Sequence, residues 1–351
     1  MIERPFFSRQ ERFSEVGSTN DVVRGWLAAG TLEVCLAVAD AQTSGRGRDG
    51  RTWTAPPDAA LLLSVGFRPA WLDPDQVWRL AAIVSLAMAD AAEEAAGLPD
   101  GLIALKWPND LVAELTDPPI EPTGVANRTV GAVANRTPRG TPGATPAAPA
   151  QPSAAASPIR KLAGVLGETD GLGTSDPRAV IGIGINADWA PNDFPPELAG
   201  RMTSLREASN GRPVDRGALL DAFLVRLEPR VLALRDGHFP VADWIERQLT
   251  TGRWVDLELP DGRIETVRSV GVDVRSGGLI VEDSSASAGE RTVLSGEIRH
   301  LRVTGPARSA IASAASATSS AASATSSAVS ATSSAAVNSG GSSLPFVTGR
   351  V

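Results

Sequence analysis

Two stretches of this chain cannot take part in a packed core. Residues 116–158 consist mostly of Pro, Ala, Gly and Thr, and the run Val-Ala-Asn-Arg-Thr occurs in them twice, from Val125 and from Val133. Residues 306–351 are rich in Ala, Ser and Thr and repeat Ser-Ala-Thr-Ser-Ser-Ala from Ser316, Ser323 and Ser330. Neither stretch has enough large apolar side chains to offset the entropy of ordering its backbone. The repeat also lacks the apolar seam of a coiled coil. Both are read as disordered, one as an insertion and one as a tail, so the fold is built from the rest of the 351 residues.

The remaining sequence carries enough apolar residues for two domains. A net charge of −7 gives no general footprint for nucleic acid or for an anionic membrane surface. One cysteine, Cys35, cannot form an internal disulfide, which points to a reducing, cytoplasmic compartment. Cys35 lies in an apolar run and reads as a small buried side chain. The first residues have no signal-peptide core, and no run is long and apolar enough to span a bilayer.

In chain order, residues 1–17 read as short and irregular. Ser18-Thr19-Asn20-Asp21 reads as a helix N-cap cluster, and the helix it opens stops at Gly30. Strands are expected over 33–40, 60–67 and 102–107, the last ending in a tight turn at Pro108-Asn109-Asp110 that leads into a short strand near Leu111, with a long helix opened by Pro74 and ended by Gly97. Further strands are expected over 162–167 and 179–186, a loop with one short helix over 189–212, and helices over 215–235 and 241–249. After Thr250 the pattern turns to period two. Strands over 254–259, 263–272, 278–282, 291–294 and 298–303, with a hairpin signal at Asp261-Gly262, read as a small barrel.

The chemistry concentrates in GRGRDGRTW at 45–53. Glycine lets a backbone approach a ligand closely, and arginine is a planar, permanently charged fork for phosphate and carboxylate. A mobile loop closing over an anion and a solvated basic turn both fit this stretch. An Arg-Gly nucleic-acid segment is a third reading, which the acidic whole-chain charge disfavours. The lysines sharpen the choice. Of 33 basic residues only Lys106 and Lys161 are lysine, so wherever charge alone suffices this chain uses arginine. An ammonium is not equivalent to a guanidinium, and these two positions are candidates for a specific chemical need. Lys106 opens KWPND and Lys161 opens KLAGVLGE.

Taken in order, Gly-Ser-Thr-Asn at 17–20, Gln42 with GRGRDGRTW, KWPND at 106–110, KLAGVLGE at 161–168 and GIGIN at 182–186 resemble the biotin–protein ligases, in the form without an N-terminal DNA-binding domain. The resemblance implies an α+β fold. A mixed-sheet biotin/lipoate ligase catalytic domain, class II aminoacyl-tRNA-synthetase-like, spans 12–250, and a small SH3-like β-barrel spans 251–303. It implies ATP and biotin as substrates, Mg²⁺, and a two-step reaction. The biotin carboxylate attacks the α-phosphorus of ATP, giving biotinyl-5′-AMP and pyrophosphate. A lysine amine on the biotin carboxyl carrier domain of an acyl-CoA carboxylase then displaces AMP.

Roles carried over from the resemblance follow. Ser18, Thr19, Asn20 and Gln42, with Gly47 and other main-chain groups of the loop, would hold biotin's ureido ring, and Gly164 would line its chain. Arg46 and Arg48 would hold carboxylate and α-phosphate, Arg51 would meet the pyrophosphate side, and Trp53 would stack on adenine. Lys161 would be the catalytic lysine. Lys106 and Asn109 would order phosphates, Asn186 would touch the nucleotide, and Asp110 is the one residue to consider as a metal ligand. The resemblance leaves ligase activity without repression, no nucleic acid or membrane as partner, and a monomer or weak homodimer as expectations. A lipoate or octanoate ligase and a non-catalytic biotin sensor are the alternatives.

Overall fold

The computed structural model describes residues 5–115, 159–283, 289–294 and 296–302. The insertion at 116–158 and the tail at 306–351 lie outside the described residues. Seven strands form the main sheet: β1 (Arg9–Val16), β2 (Cys35–Gln42), β3 (Ala60–Phe67), β4 (Ile103–Lys106), β5 (Asp110–Glu114), β6 (Ile159–Asp170) and β7 (Arg178–Asn186). Their order is β1-β2-β3-β7-β6-β5-β4. β1 runs parallel to β2, and every other neighbouring pair is antiparallel, so the sheet is mixed.

Alternation along β2 and β3 divides the molecule into layers. Leu36, Val38, Leu61, Leu63, Val65 and Phe67 point to one face. There they pack against α2 (Trp78–Ala96) and α5 (Arg216–Arg235) through Leu80, Ile83, Leu86, Phe223 and Leu227. Cys35 and Ala37 point to the other face, beneath α1 (Thr19–Ala28), where they meet Val23, Trp26 and Leu27. Burial pushes the Cys35 thiol up to about 11, as befits an inert core side chain. The helix α1 sits close because Gly66 beneath it has no side chain: a Cβ there would lie 2.6 Å from Val23 Cγ1.

The second sheet, β11-β10-β9-β8-β12, uses β8 (Trp254–Glu258), β9 (Ile264–Val272), β10 (Leu279–Asp283), β11 (Gly289–Val293) and β12 (Glu297–Arg302). It is wholly antiparallel and compatible with an SH3-like domain. Both sheets lie in one compact unit, Met1–Val303. Tryptophans tie them together: Trp107 Nε1 donates to Gly277 O at 3.1 Å and Trp78 Nε1 to Arg275 O at 3.1 Å. Among the described residues, no helix is long and apolar enough to cross a membrane.

Five local expectations are corrected. Residues 9–16 are strand, not irregular chain. Pro74 opens a 3₁₀ turn, and α2 begins at Trp78. The segment 189–212 holds two short helices, α3 (Pro196–Ala199) and α4 (Leu205–Ala208), rather than one. Ser18 occupies the N-cap position of α1, but its hydroxyl makes no cap hydrogen bond. The last helix, α6 (Val241–Glu246), ends before Arg247–Leu249, a segment that pairs with the edge of β4.

Candidate functional site

The α1 face of the sheet continues into a cavity of about 250 Å³. Glycine makes room for it. Gly164 of β6 pairs with Gly184 of β7, and Gly182 lies two residues before Gly184 on the same face. A Cβ on Gly182 would stand 2.1 Å from Asn20 Oδ1, and one on Gly184 would stand 2.7 Å from the Trp53 indole. The alternating glycines therefore admit Asn20 and Trp53 onto the bare sheet.

Lys161 reaches this face through a bulge. In a regular strand, residues three apart point to opposite faces. Leu111 pairs with Ala163 but Val112 pairs with Lys161, so Leu162 is an extra residue on β6. The bulge re-aims Lys161 onto the face of Gly164, where a Gly164 Cβ would lie 3.3 Å from its Nζ. Lys161 Nζ is 2.6 Å from Asp110 Oδ1 and 5.8 Å from the Trp53 ring centroid. Lys106 Nζ lies 3.8 Å from Asp110 Oδ2. The chain's two lysines thus converge on one carboxylate. Asn109 secures the turn between β4 and β5: its Nδ2 donates to Val165 O, and Val165 N donates to Asn109 O, both at 2.9 Å.

The loop 45–53 folds back on itself over the cavity. Gly47 N donates to Arg51 O at 2.7 Å and Trp53 N to Gly45 O at 2.9 Å. Arg48 reaches the second sheet and donates to Gly296 O at 3.3 Å. Arg46 is turned onto Asp21 and Glu168, which hold its guanidinium protonated well above its ordinary range, and Arg46, with Arg24 beside it, holds Asp21 below the usual carboxylate value. At the far end, Gln42 Oε1 accepts from Thr19 N at 2.7 Å and from Thr19 Oγ1 at 3.1 Å. This fixes the Gln42 amide so that its nitrogen is the donor it can offer a ligand.

Of the residues expected at the site, Ser18, Thr19, Asn20, Gln42, Arg46, Gly47, Arg48, Arg51, Trp53, Lys106, Asn109, Asp110, Lys161 and Gly164 all line this cavity. Asn186 does not. It is fully buried, and its Nδ2 donates to Thr203 O at 2.9 Å, securing the segment whose Thr203 N bonds Lys161 O. The apolar wall was not foreseen. Trp189 and Phe194, stacked with centroids 4.4 Å apart, close one side together with Leu198 and Met202.

Against this geometry stand the likenesses to known proteins. The chain is 30% identical over 294 residues to the biotin–[acetyl-CoA-carboxylase] ligase of Mycobacterium tuberculosis, covering 82% of this chain and 88% of that protein. The chain belongs to the biotin protein ligase family. Within it, residues 15–141 match the Biotin/lipoate A/B protein ligase family profile. A bifunctional ligase/repressor of Bacillus subtilis is 28% identical over 198 residues, 56% of this chain and 46% of that protein. The fold agrees with that of the biotin protein ligase from Aquifex aeolicus solved with biotin and ATP. The TM-score is 0.58 at 24% identity, over 84% of this chain and 99% of that one.

For a ligase of this family the cavity is rich in fixed positive charge and poor in metal ligands. Among the described residues, no group of three or more His, Cys, Asp and Glu is placed to hold a metal ion. Both carboxylate oxygens of Asp110 face ammonium groups. These residues do not form a protein-held cation site.

Proposed function

We propose that this ligase uses the cavity to join biotin to ATP and then transfers biotin to a lysine of a biotin carboxyl carrier domain of an acyl-CoA carboxylase. The observation that carries the reading is the convergence of both lysines, the arginine loop and the Thr19–Gln42 pair on one cavity. The chemistry explains why such groups belong together. A carboxylate resists attack by an amine until one oxygen bears a good leaving group. The biotin carboxylate must approach the α-phosphorus of ATP, and fixed positive charge offsets the repulsion of two anions. Its oxygen bonds to that phosphorus as pyrophosphate leaves. The carrier amine then bonds to the carbonyl carbon, loses a proton, and AMP departs with the bridging oxygen.

In this reading Ser18, Thr19, Asn20 and Gln42 hydrogen-bond the ureido ring, and Gly47 brings main-chain groups close to it. Gly164 leaves space for the biotin chain. Lys161 bridges carboxylate and α-phosphate, exchanging its contact with Asp110 for the reacting oxygens. Arg48, Arg51, Lys106 and Asn109 meet the phosphates, and Trp53 supplies a flat surface for adenine. The closed loop keeps water from the mixed anhydride. The catalytic part spans 12–250 and the SH3-like part 251–303. The protein works in the cytoplasm as a monomer or weak homodimer.

The test measures pyrophosphate release from ATP with biotin, lipoate or octanoate as the sole acid. Release with biotin at a rate at least about tenfold above the others is expected. Faster release with lipoate or octanoate would replace biotin as the substrate. Biotin binding without release would make the protein a sensor.

A further inference from the structure

Arg46 lines the cavity, yet its charge is spent elsewhere. Its Nη1 is 2.7 Å from Asp21 Oδ2 and its Nη2 is 2.8 Å from Asp21 Oδ1, a two-pronged grip on one carboxylate. Nη2 also lies 3.2 Å from Glu168 Oε1. Neither Asp21 nor Glu168 lines the cavity. Arg24 joins the same two carboxylates, at 2.7 Å from Asp21 Oδ1 and in contact with Glu168 Oε2. Two guanidinium groups and two carboxylates make a neutral quartet drawn from the loop, from α1 and from the far part of β6.

The quartet is anchored inward. Asn20 Nδ2 donates to Glu168 Oε2 at 3.0 Å, and Asn20 Oδ1 accepts from Ser64 Oγ at 2.6 Å. Ser64 Oγ lies 2.7 Å from Thr19 Oγ1, and the Thr19 backbone N–H in turn donates to Gln42 Oε1 at 2.7 Å. One continuous network therefore joins Arg46 to the buried residues beside the cavity. Single pairs at this exposure are weak, but charges shared in a network with one buried end hold a geometry that an isolated pair does not.

We propose that Asp21 and Glu168 are positioning residues. They clasp Arg46 and so hold the loop 45–53 over the cavity with its backbone toward the ligand. Arg46 is then a clasp rather than the anion contact that the family resemblance implies, and the anions are left to Arg48, Arg51 and the lysines. The inference rests on the adenylation reading of the cavity. The consequence is specific. Loosening the clasp weakens retention of biotin and of the adenylate, while the reacting groups stay in place.

Glu168→Gln and Asp21→Asn remove charge with little change of shape, and kinetics of biotin-dependent pyrophosphate release test them. The expected result is a KM for biotin raised about tenfold with kcat within about threefold of wild type, and more free biotinyl-AMP in solution. In an Arg46→Gln background, either substitution should add less than about twofold, since the clasp is already open. A collapse of kcat in Arg46→Gln, with the biotin KM of the two carboxylate variants unchanged, would overturn the proposal and make Arg46 an anion contact. If wild type shows no biotin-dependent release, the functional reading fails by itself. The clasp is then judged by amide hydrogen exchange across 45–53. Faster exchange in both carboxylate variants supports it, and unchanged exchange overturns it.

Discussion

Asp21 shows how much a single residue carries. It begins in the sequence as part of an N-cap cluster, and it ends as the carboxylate gripped by Arg46 and Arg24. Those contacts, the hydrogen bond from Arg46 foremost, lower its folded pKa below the ordinary 3.8. A depressed carboxylate adds stability that is fully present above its unfolded pKa and lost as pH falls through its folded one. Asp21→Asn should therefore be less stable than wild type at neutral pH, with a gap that closes below the ordinary value. Urea unfolding across a pH series down to about 2.5 checks this, and a gap that stays constant to the lowest pH contradicts it. Lys161 makes the complementary point. Its scarcity was visible in composition, but its partner Asp110 and the bulge that aims it were not, because both depend on the register between β5 and β6.

At the scale of elements, strongly periodic segments were legible and weakly patterned ones were not. The strands of the main sheet from β2 onward, the helices α1, α2 and α5, and all five strands of the second sheet follow from apolar pattern and turn residues within a few positions. β1 escaped because it is an edge strand. Its sequence, RQERFSEV, offers only Phe13 and Val16 as apolar residues, and pairing with β2 rather than burial makes it a strand. The segment with α3 and α4 escaped because four-residue helices leave no period to read. Ser204 accepting from Glu207 N at 3.1 Å was nevertheless a readable cap. The insertion enters and leaves at a closed register, Glu114 beside Ile159. Replacing 116–158 with a five-residue turn should leave adenylation unchanged and stabilise the hairpin by about 2 kcal/mol or less from shorter loop closure. Equilibrium unfolding and the pyrophosphate assay check both halves, and lost activity would give the insertion a part in catalysis.

Across the whole molecule, the site is assembled from parts distant in sequence. Arg48 reaches Gly296, Trp107 reaches Gly277, and Arg253 holds Glu114 at 3.1 Å, so the second sheet braces both the arginine loop and the lysine hairpin. The motif stretches contained the residues that line the cavity and also Asp21 and Glu168, but neither the grip of those two carboxylates on Arg46 nor the wall of Trp189 and Phe194 was legible, since no spacing links positions so far apart. All of it turns on one claim, that the converging lysines and arginines activate biotin on ATP. Pyrophosphate release with biotin, measured for wild type beside Lys161→Ala and Lys161→Arg, tests that claim most directly. Biotin-dependent release in wild type and a loss of at least about a hundredfold in both variants is the predicted result, because an arginine cannot replace the compact ammonium. Release that survives in both variants would remove Lys161 from the chemistry and contradict the account.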